Sequence, residues 1–558
     1  MSETLKQKIK ELVEGEVMND EETLKLYSKD ASLFEVKPAV VVWPQDAEDI
    51  KKIVKFVAEE KRRDPEGNRD LSVTVRAAGS CMSGGSLNES IIIDVSKHLN
   101  KFEVNPEGKV AEVEPGVFYR DFEKETLEHN LILPCYTASK NLCALGGMIG
   151  NNCAGEKTLR YGKMEDYVEE LTVVLRDGEE HVFKAVPRAE ALKRSHEHNF
   201  EGEIYQYVMA LIDRNRELIS NSKPRVSKNS AGYYLWNIER NGLFDLTRLI
   251  VGSQGTLGIV TKAKIRLVPV QSKSKLVAIF LNDLSNLGDI INLILKKNPE
   301  SVESYDDATM KLAVRFAPEM FKLMKSGVIK LFFQFLPEMF MVLTGGMPKL
   351  ILLVEFVGDD EALIQKQAQE LDNELTPFKL KTRITKSSAD AEKYWTIRRE
   401  SFNLLRKHVQ GRRTAPFIDD ICLNPVYLPE FLPKLRKILD DAEIVYTIAG
   451  HAGNGNFHII PLMNMQEEHN RDLITELSDK VYDLIAEYKG TITAEHNDGI
   501  VRTPYLGKMY SPEMLELFEE TKKIFDPNNI FNPGKKVPAP SLNGGGSIPY
   551  MMDHLARD

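Results

Sequence analysis

Three glycine-rich stretches constrain the fold of this chain more than any other feature of its sequence. They are VRAAGSCMSGG at residues 75–85, LGGMIGNNCAG at 145–155 and VGSQGTLGIVT at 251–261. Small residues allow backbone N–H groups to approach an anionic ligand, because no bulky side chains stand in the way. Turn formation alone explains any one of them, but it explains all three poorly. The set therefore indicates a large ligand wrapped by backbone, a dinucleotide rather than a metal ion or a simple phosphate.

The runs between these stretches divide the chain into units. Strand-like segments such as SVTVRAAG, SIIIDVS and VEELTVVLRDG indicate a first α+β unit, and the polar VPVQSKSK near residues 268–275 marks its end. Strands that alternate with helices then predict a second, separate α+β unit. We predict an N-terminal helical segment at residues 1–35 and the first unit at 36–270. The second unit follows at 271–504, and a C-terminal helical segment with its tail at 505–558.

Charge and cysteine content exclude several classes of function. The 558 residues contain 73 Lys and Arg against 83 Asp and Glu, a formal net charge of −10, so nucleic acid is not an expected partner. Five cysteines form no CxxC pair, which indicates reduced thiols in an intracellular, cytoplasmic protein. The N-terminus lacks the apolar core of a secretory signal, and no run of about 18 apolar residues predicts a transmembrane helix.

One apolar insertion, at residues 320–348, does not fit either α+β unit. Its densest part, VIKLFFQFLPEMFMVLTGGMP at 328–348, is rich in Phe, Leu and Met but contains charged residues and a proline. We interpret it as a buried insertion or subunit contact, or else as an anchor lying on the inner face of a membrane. It is too short and too charged to cross a bilayer.

The segment HAGNGNFH at residues 451–458 predicts a β-hairpin with a histidine on each strand. Asn454-Gly455 is the preferred pair for a two-residue type I′ turn. Counting outward from that turn places His451 directly opposite His458, with Cβ atoms about 4.5–5.5 Å apart. Two imidazoles at that distance can bind one divalent metal ion, although two ordinary polar hairpin residues are the simpler interpretation when the pair is taken alone.

A second segment supplies the residue types that such a metal site would need. ITAEHNDG at 492–499 ends another predicted strand, with Glu495 and His496 side by side. Glu495 would complete a His-His-carboxylate set, and His496 would act as an acid or base beside the ion. On a predicted helix, Arg398 is either a surface cation or a fork for a substrate carboxylate, and Arg399 is an equal alternative.

Together these motifs resemble the flavoprotein superfamily of p-cresol methylhydroxylase and vanillyl-alcohol oxidase. Within it the chain looks like the D-2-hydroxy-acid dehydrogenase branch, which includes D-lactate dehydrogenase of the cytochrome type, D-2-hydroxyglutarate dehydrogenase and the flavin subunit of glycolate oxidase. The resemblance extends from YSKDAS, beginning at Tyr27, to FDPNNIFNPGK at 525–535. It implies an α+β fold with a PCMH-type FAD-binding domain, a ferredoxin-like α+β cap domain and a C-terminal helical segment that returns to the FAD domain.

The resemblance also implies which residues contact FAD. Those of the pyrophosphate loop are Arg76, Gly79, Ser80, Cys81, Met82, Gly84 and Gly85. Those of the second FAD segment are Pro134, Ala138, Ser139, Gly146, Gly147, Asn151, Ala154 and Gly155. The third segment supplies Gly252, Gly258, Ile259 and Val260, and the NPGK motif supplies Asn532. Ser80 occupies the position of the flavin-linking histidine of covalent members, so we expect noncovalent FAD.

In the cap, the resemblance implies metal ligands at His451, His458 and Glu495, a base at His496 and a carboxylate-binding arginine at Arg398. The implied activity is FAD- and metal-dependent oxidation of a small D-2-hydroxy acid of the D-lactate, glycolate or D-2-hydroxyglutarate class to the 2-oxo acid. The metal would be zinc, manganese or iron. Electrons would pass to a quinone, a cytochrome or an electron-transfer flavoprotein. A homodimer and peripheral membrane contact through 328–348 are further expectations.

Two alternatives and three departures accompany this interpretation. The first alternative is an alkyl-dihydroxyacetone-phosphate synthase of the same fold. The second is a flavin-carrying electron-relay or structural subunit without a substrate site. The family's metal hairpin usually has Asp where Asn454 stands, and its EHGxG motif is here EHNDG, with Asn497 and Asp498. Gln254 stands where an acidic residue is common. These departures leave the metal ligands intact but put the identity of the substrate in doubt.

Overall fold

A computed structural model describes residues 2–315, 346–408, 411–539 and 543–557 of the chain. The described residues form a mixed α+β fold built on three main sheets, as predicted. The predicted apolar insertion at 320–348 lies outside them, except for its last three residues.

The first sheet has four strands and a parallel centre. Its strands, in spatial order, are Glu16–Met18, Val40–Trp43, Ile91–Asp94 and Val73–Arg76. Ile91–Asp94 is buried along its whole length, as expected for a central strand. Residues 1–35, predicted to be helical, also contribute the edge strand Glu16–Met18, which pairs antiparallel with Val40–Trp43. Three residues are too few to show a clear strand period, which is why the sequence pattern missed it.

The second sheet is antiparallel and has five strands. In spatial order they are Phe102–Asn105, Val110–Val113, Ile259–Arg266, Val168–Val174 and Glu180–Lys184. Smaller two- and three-stranded sheets at its margin contain Leu131–Ile132, Val268–Pro269, Val186–Pro187, Glu239–Arg240 and Leu243–Phe244. Because Ile259–Arg266 is central, the third glycine-rich stretch leads directly into the middle of this sheet.

Helices cover these sheets and connect their strands. Ala47–Arg63 shows how one of them forms: Asp46 caps its first turn, and Ile50, Ile53 and Val57 form a buried stripe at helical spacing. The helices of the first 270 residues are Ser2–Lys10, Glu21–Tyr27, Ala47–Arg63, Tyr119–Glu128, Leu145–Asn151, Thr158–Tyr161, Arg188–Arg194, Phe200–Arg214, Arg216–Ser222 and Thr247–Ile250.

The third sheet is antiparallel and has eight strands. Its main path, in spatial order, is Lys381–Ile384, Lys273–Leu281, Leu350–Gly358, Ser301–Asp306, Val445–His451, Asn456–Met463 and Arg413–Thr414, and Ile421–Cys422 also pairs with Asn456–Met463. Its helices are Leu287–Leu295, Asp307–Arg315, Glu361–Leu375, Ser388–His408, Leu428–Asp441 and Glu468–Glu487. This sheet carries the predicted histidine hairpin at one end.

The C-terminal segment returns to the first two sheets, as the resemblance implied. The helix Gly499–Arg502 precedes it, and Pro512–Phe525 follows as the second of these helices, before Ile548–Asp553. Arg214, on the helix Phe200–Arg214, forms an ion pair with Glu520 of the second of these helices. Phe531 then forms a parallel bridge with Val73 of the first sheet. In the described ranges, no helix combines the length and the apolar character needed to span a bilayer.

Candidate active site

The three glycine-rich stretches meet at one place. The N–H of Gly252 donates to the carbonyl of Ile149 at 2.9 Å, and the N–H of Gln254 donates to the carbonyl of Gly150 at 2.8 Å. These bonds join the third stretch to the second. The side chain of Gln254 then reaches the first stretch, where its Nε2 donates to Oγ of Ser83 at 3.2 Å.

Asn532 ties the C-terminal segment into the same place. Its Nδ2 donates to the carbonyls of Gly85 and Gln254 at 2.8 and 2.7 Å, and its Oδ1 accepts a hydrogen bond from Oγ1 of Thr74 at 2.8 Å. The side chain is fully buried. One amide therefore joins the strand Val73–Arg76, the first stretch and the third stretch.

The meeting stretches leave an open cradle lined by backbone. A Cβ added at Gly147 would find only Ala77 at the limit of contact, at 4.0 Å, and one added at Gly150 would find only the Cα of Gln254 at 3.9 Å. Residues Ala77–Met82 are all partly exposed, and in the described part of the chain the N–H groups of 78–82 make no hydrogen bond. Free N–H groups on a glycine-rich loop suit a pyrophosphate, so the residues present fit FAD.

The other residues predicted to contact FAD lie around this cradle at different depths. Ala138 is exposed and Ser139 half-buried, whereas Pro134, Ala154 and Gly155 are buried. Gly258 and Ile259 are also buried, and the side chain of Ile259 packs in the core of the first sheet. The guanidinium of Arg76 lies over the ring of Tyr27, 5.0 Å from its centroid.

The predicted histidine hairpin exists, but its predicted register is wrong. Strands Val445–His451 and Asn456–Met463 pair so that His451 faces Asn456, and His458 faces Ala449. The connection is a four-residue turn rather than a two-residue one, because Gly455 packs against the backbone of Leu423 and its N–H donates to the carbonyl of Ala452 at 3.0 Å. The two histidines are diagonal neighbours on one face, and their ring centroids are 5.3 Å apart.

Glu495 and His496 do not end a strand, as the sequence pattern suggested. They lie in an irregular segment between the helices Glu468–Glu487 and Gly499–Arg502. The N–H groups of Ala494, Glu495 and His496 all donate to one oxygen of Asp420, at 2.8, 2.8 and 2.7 Å. A buried carboxylate thus replaces the partner strand that the pattern anticipated.

Three imidazoles and one carboxylate converge beside the hairpin. The Nε2 atoms of His451 and His458 both lie 3.4 Å from Oε1 of Glu495, and Nε2 of His496 lies 3.9 Å from that oxygen. Two ligand atoms bound about 2.0–2.1 Å from one tetrahedral ion are themselves about 3.4 Å apart. The donor set therefore fits a divalent first-row ion with little rearrangement.

Buried carboxylates lie beside the Nδ1 atoms of all three imidazoles, and those of His451 and His458 are hydrogen-bonded to them. Nδ1 of His451 lies 2.5 Å from Oε1 of Glu303, and Asp419 lies 3.0 Å from Nδ1 of His458 and 2.9 Å from Nδ1 of His496. Such pairs fix the ring tautomer and direct Nε2 towards a metal. Burial alone would lower the pKa of His458, but Asp419 and Glu495 raise it to about 10.

The pKa of His496 is also raised. Burial opposes this shift, and the charges of Asp420 and Asp419 outweigh it. Its side chain is 21% exposed, more than the 8% of His451 and the 14% of His458. His496 is therefore the most accessible imidazole of the three.

Asp420 also offers an oxygen close to this cluster. Asp420, His458, Glu495 and His496 can place one ligand atom each within 4.8 Å of one another. However, Oδ2 of Asp420 accepts the three N–H bonds described above, and its Oδ1 accepts a hydrogen bond from Nδ2 of Asn456 at 3.1 Å. We therefore favour His451, whose Nε2 already faces Glu495, as the third ligand.

A fully buried lysine connects the cluster to the FAD-binding stretches. Nζ of Lys228 lies 2.8 Å from Oε2 of Glu495 and 3.4 Å from the carbonyl of Gly155 in the second stretch. Burial alone would raise the pKa of Glu495, but Lys228 and His451 hold it well below its usual value. Lys228 occupies the second oxygen of Glu495, which leaves the first for a metal ion.

The two candidate arginines have different surroundings. Nη2 of Arg398 lies 3.2 Å from Oε2 of Glu303. The other oxygen of Glu303 contacts His451, so this carboxylate connects Arg398 to the imidazole cluster. Its Nε is buried and has no hydrogen-bond partner among the residues that the structure describes. Arg399 is 47% exposed, and both oxygens of Glu156 lie 3.0 Å from its Nη2. Arg398 is the arginine that belongs to the cluster.

Sequence reasoning missed four residues of this site: Glu303, Asp419, Asp420 and Lys228. The adjacent acids of PFIDDICL, inside an otherwise apolar run, were a usable signal, because carboxylates are rarely buried without a partner. Glu303 alternates with apolar residues in SVESYD and offered a weaker one. Lys228 lies in a polar loop and gave none.

Two known family models match this chain. A family model described as the FAD binding domain matches residues 38–184, and one described as the C-terminal domain of FAD linked oxidases matches residues 270–536. The first range includes the first two glycine-rich stretches. The second includes every residue of the imidazole cluster.

Individual relatives are similar over most of the chain. The D-2-hydroxyglutarate dehydrogenase of Escherichia coli strain K12 is 27% identical, over 92% of this chain and 50% of that protein. The D-lactate dehydrogenase of Archaeoglobus fulgidus is 26% identical, over 89% of this chain and 91% of that protein. The chain thus spans about half the length of the curated D-2-hydroxyglutarate dehydrogenases that it matches.

Solved structures share the fold. The 4-ethylphenol oxidase from Gulosibacter chungangensis aligns with a TM-score of 0.67 and 16% identity, over 96% of this chain and 97% of that one. An alkyldihydroxyacetonephosphate synthase aligns with a TM-score of 0.63 and 14% identity, over 93% of this chain and 83% of that one. With its two matched domains, the chain belongs to the FAD-linked oxidases of the p-cresol methylhydroxylase and vanillyl-alcohol oxidase superfamily.

Proposed function

We propose that this protein is a FAD- and metal-dependent dehydrogenase that oxidises a small D-2-hydroxy acid to the 2-oxo acid. The observation that carries the proposal is the convergence of three Nε2 atoms on one carboxylate oxygen of Glu495. Lys228 connects that carboxylate to the second FAD-binding stretch. The names of the relatives, D-2-hydroxyglutarate and D-lactate dehydrogenases, support the substrate class.

The charges of the site suit a 2-hydroxy acid. Four carboxylates, those of Glu303, Asp419, Asp420 and Glu495, face three cations, Lys228, Arg398 and Arg502. The cluster therefore carries one net negative charge when its imidazoles are neutral. A divalent ion changes this to one net positive charge, which complements the carboxylate of one 2-hydroxy acid.

Each residue then has a defined task. When bound, the ion supplies a Lewis acid for the hydroxyl and carboxylate oxygens of the substrate, and FAD supplies the two-electron acceptor. His451, His458 and Glu495 hold the ion. His496 accepts the hydroxyl proton at Nε2, while Asp419 beside its Nδ1 stabilises the imidazolium that forms.

Arg398 binds the substrate carboxylate. Its buried Nε is a free donor for this purpose, and Glu303 fixes the guanidinium from the other side. A substrate bound at two points presents C2 in one orientation, which is what transfer of a hydride to the flavin requires.

Cofactor state, acceptor and location stay predictions. We propose noncovalent FAD, a zinc, manganese or iron ion, and a quinone, cytochrome or electron-transfer flavoprotein as the electron acceptor. We also propose a cytoplasmic protein, with the homodimer and the membrane contact through 328–348 as further predictions.

Anaerobic stopped-flow spectroscopy tests the proposal. The purified holoenzyme is mixed with a panel of D- and L-2-hydroxy acids, and the loss of the flavin absorbance near 450 nm is recorded. We expect rapid reduction by at least one D-acid and none by its L-enantiomer. A flavin that stays oxidised with every D-acid would refute the proposed function.

A matched pair of histidine variants tests the role of His496. H496A should retain FAD and metal but reduce its flavin at least about 100-fold more slowly, since a general base contributes about 10²–10⁴-fold. H469A removes an exposed histidine of the helix Glu468–Glu487 and should reduce at the wild-type rate. Equal rates in both variants would exclude His496 as the base.

A further inference from the structure

Two buried amide side chains connect the imidazole cluster to the flavin-binding stretches. They are Asn497, where the resembled family has a glycine, and Gln254, where that family commonly has an acidic residue. Both contact Asn151 at the end of the helix Leu145–Asn151. The proposed mechanism has so far used neither residue.

Asn497 directly follows His496 and makes three hydrogen bonds with its side chain. Its Nδ2 donates to the carbonyl of Gly252 at 2.9 Å and to that of Asn151 at 3.3 Å. Its Oδ1 accepts a hydrogen bond from the N–H of Asp498 at 2.7 Å. The backbone of Asn497 is left-handed, with φ of 68°, and the residue is fully buried. The glycine expected from the family would provide the same backbone turn without these contacts.

Gln254 makes the reciprocal contacts from the third glycine-rich stretch. Its Nε2 donates to Oδ1 of Asn151 and to Oγ of Ser83, both at 3.2 Å. Its Oε1 accepts a hydrogen bond from the N–H of Gly499 at 2.8 Å. An acidic side chain would keep the last of these bonds and lose the two that it donates.

The flavin-binding stretches are joined to one another without Asn497. The N–H of Gly252, for example, donates to the carbonyl of Ile149. What Asn497 adds is a link from those stretches to His496. On its other side, the segment containing His496 is bonded to Asp420, which belongs to the unit that carries the imidazole cluster. The segment is thus fixed from both domains.

We infer that Asn497 and Gln254 are positioning residues that fix His496 and Glu495 relative to the flavin. This inference rests on the proposed function, since hydride transfer requires the substrate carbon and the flavin to lie at reacting distance. A displacement of about 1 Å can reduce such a rate about 100-fold. Lys228 also links Glu495 to the carbonyl of Gly155, whereas the two amides hold the backbone of the segment that contains His496.

The substitution N497G tests the inference directly. Glycine adopts the left-handed backbone without strain, so only the side-chain bonds are lost. We expect flavin reduction at saturating substrate to slow about 10- to 100-fold, while KM, bound FAD and bound metal stay within about twofold of wild type. The isotope effect of substrate deuterated at C2 should increase, because the hydride step becomes more rate-limiting.

A second readout does not depend on activity. Amide hydrogen exchange of the FAD-loaded protein should become at least about tenfold faster for the peptide covering residues 494–500, because that segment loses a side-chain anchor. N130G is the matched control: Asn130 also has a positive φ, of 55°, but is exposed and belongs neither to the glycine-rich stretches nor to the imidazole cluster. It should change neither exchange in that peptide nor flavin reduction.

Q254M provides an independent variant of similar side-chain size. It removes the three bonds of the Gln254 amide and should slow reduction in the same direction as N497G. Reduction rates and exchange within twofold of wild type in both variants would overturn the inference. That result differs from failure of the proposed function, in which the wild-type flavin itself stays oxidised with every acid.

Discussion

The flavin-binding stretches and the imidazole cluster are adjacent but are built in opposite ways. At Gly147 and Gly150 the site consists of backbone that side chains leave uncovered, and the loop from residue 78 to 82 is partly exposed. At His451 and Glu495, the site consists of side chains held by buried charged side chains, those of Glu303 and Lys228. A backbone-built site should be sensitive to added atoms, whereas a side-chain-built site should be sensitive to the identity of its donors.

The largest expected effect is that of E495Q in the imidazole cluster. The neutral amide is a poor metal ligand, and it leaves the fully buried Lys228 without its carboxylate partner. We expect loss of bound metal, at least about a thousandfold slower flavin reduction, and about 3 kcal/mol lower stability to unfolding. FAD should remain bound. Elemental analysis, flavin absorbance and chemical denaturation measure these three quantities.

The double variant K228M/E495Q separates stability from function. It removes both buried charges, so the free energy of unfolding should return towards the wild-type value while the metal and the activity stay absent. Loss of FAD in either variant would contradict the separation of the two regions.

D419N should have a smaller effect in the same region. Asp419 is hydrogen-bonded to Nδ1 of His458 and lies 2.9 Å from Nδ1 of His496, and loss of such a partner typically costs about 10–100-fold in metal affinity or activity. Metal titration of the apoprotein and flavin reduction measure this change. D49N is the matched control, because Asp49 is equally buried but accepts hydrogen bonds from the backbone of Glu14 and Gly15. An unchanged metal affinity in D419N would contradict the orienting role.

G79A tests the backbone-built region. Gly79 has a φ of 66°, and a Cβ there would collide with the guanidinium of Arg76. We expect FAD affinity to fall about tenfold, because relieving this clash shifts Arg76 or the loop and such overpacking costs about 1–3 kcal/mol, while the metal stays bound. Fluorescence of released FAD measures the affinity.

Gly242 offers the matched control for that substitution. Its φ is 78°, but an added Cβ would have no neighbour within 4 Å. G242A should lose comparable stability to unfolding and retain its FAD. If both variants release FAD equally, the effect of G79A comes from general backbone strain and not from the cradle.

The smallest expected effect concerns pH. Burial alone would lower the pKa of His181, but Asp177 and Glu201 raise it to about 9. Because this pKa exceeds that of the unfolded chain, about 6.5, the stabilisation is complete below pH 6.5 and is lost as the pH rises through 9. We expect about 1 kcal/mol, since the pair is partly exposed.

H181N should remove that part of the pH dependence. The measurement is the free energy of unfolding between pH 6 and 10, compared with wild type. His181 lies in the five-stranded sheet, so bound metal should be the same in both proteins. An identical pH profile in wild type and H181N would show that His181 does not contribute.

Local signals in the sequence were sufficient for much of the site. Glycine-rich stretches, the hairpin and the pairing of Glu495 with His496 all depend on residues close together in the chain. The hairpin register failed because its turn is determined by Leu423, a residue about 30 positions earlier that packs against Gly455. Preferred turn pairs predict a turn, but tertiary packing decides its length.

Long-range partners were beyond the sequence pattern. No local period shows that Asp420 accepts three N–H bonds from residues 494–496, or that Lys228 reaches Glu495. Both contacts join segments separated by at least 70 residues. Their common feature is a charged group buried with its partner, which a single sequence reveals only as an acid or base in an apolar setting.

The position of Asn532 has a consequence for biosynthesis. A ribosome makes the strand Val73–Arg76 and all three glycine-rich stretches long before it reaches residue 532, yet that amide joins Thr74, Gly85 and Gln254. The nascent chain therefore completes its cofactor pocket only after residue 532 has been made. Until then, the cell has to keep the residues already synthesised from aggregating without the stabilisation that bound FAD provides.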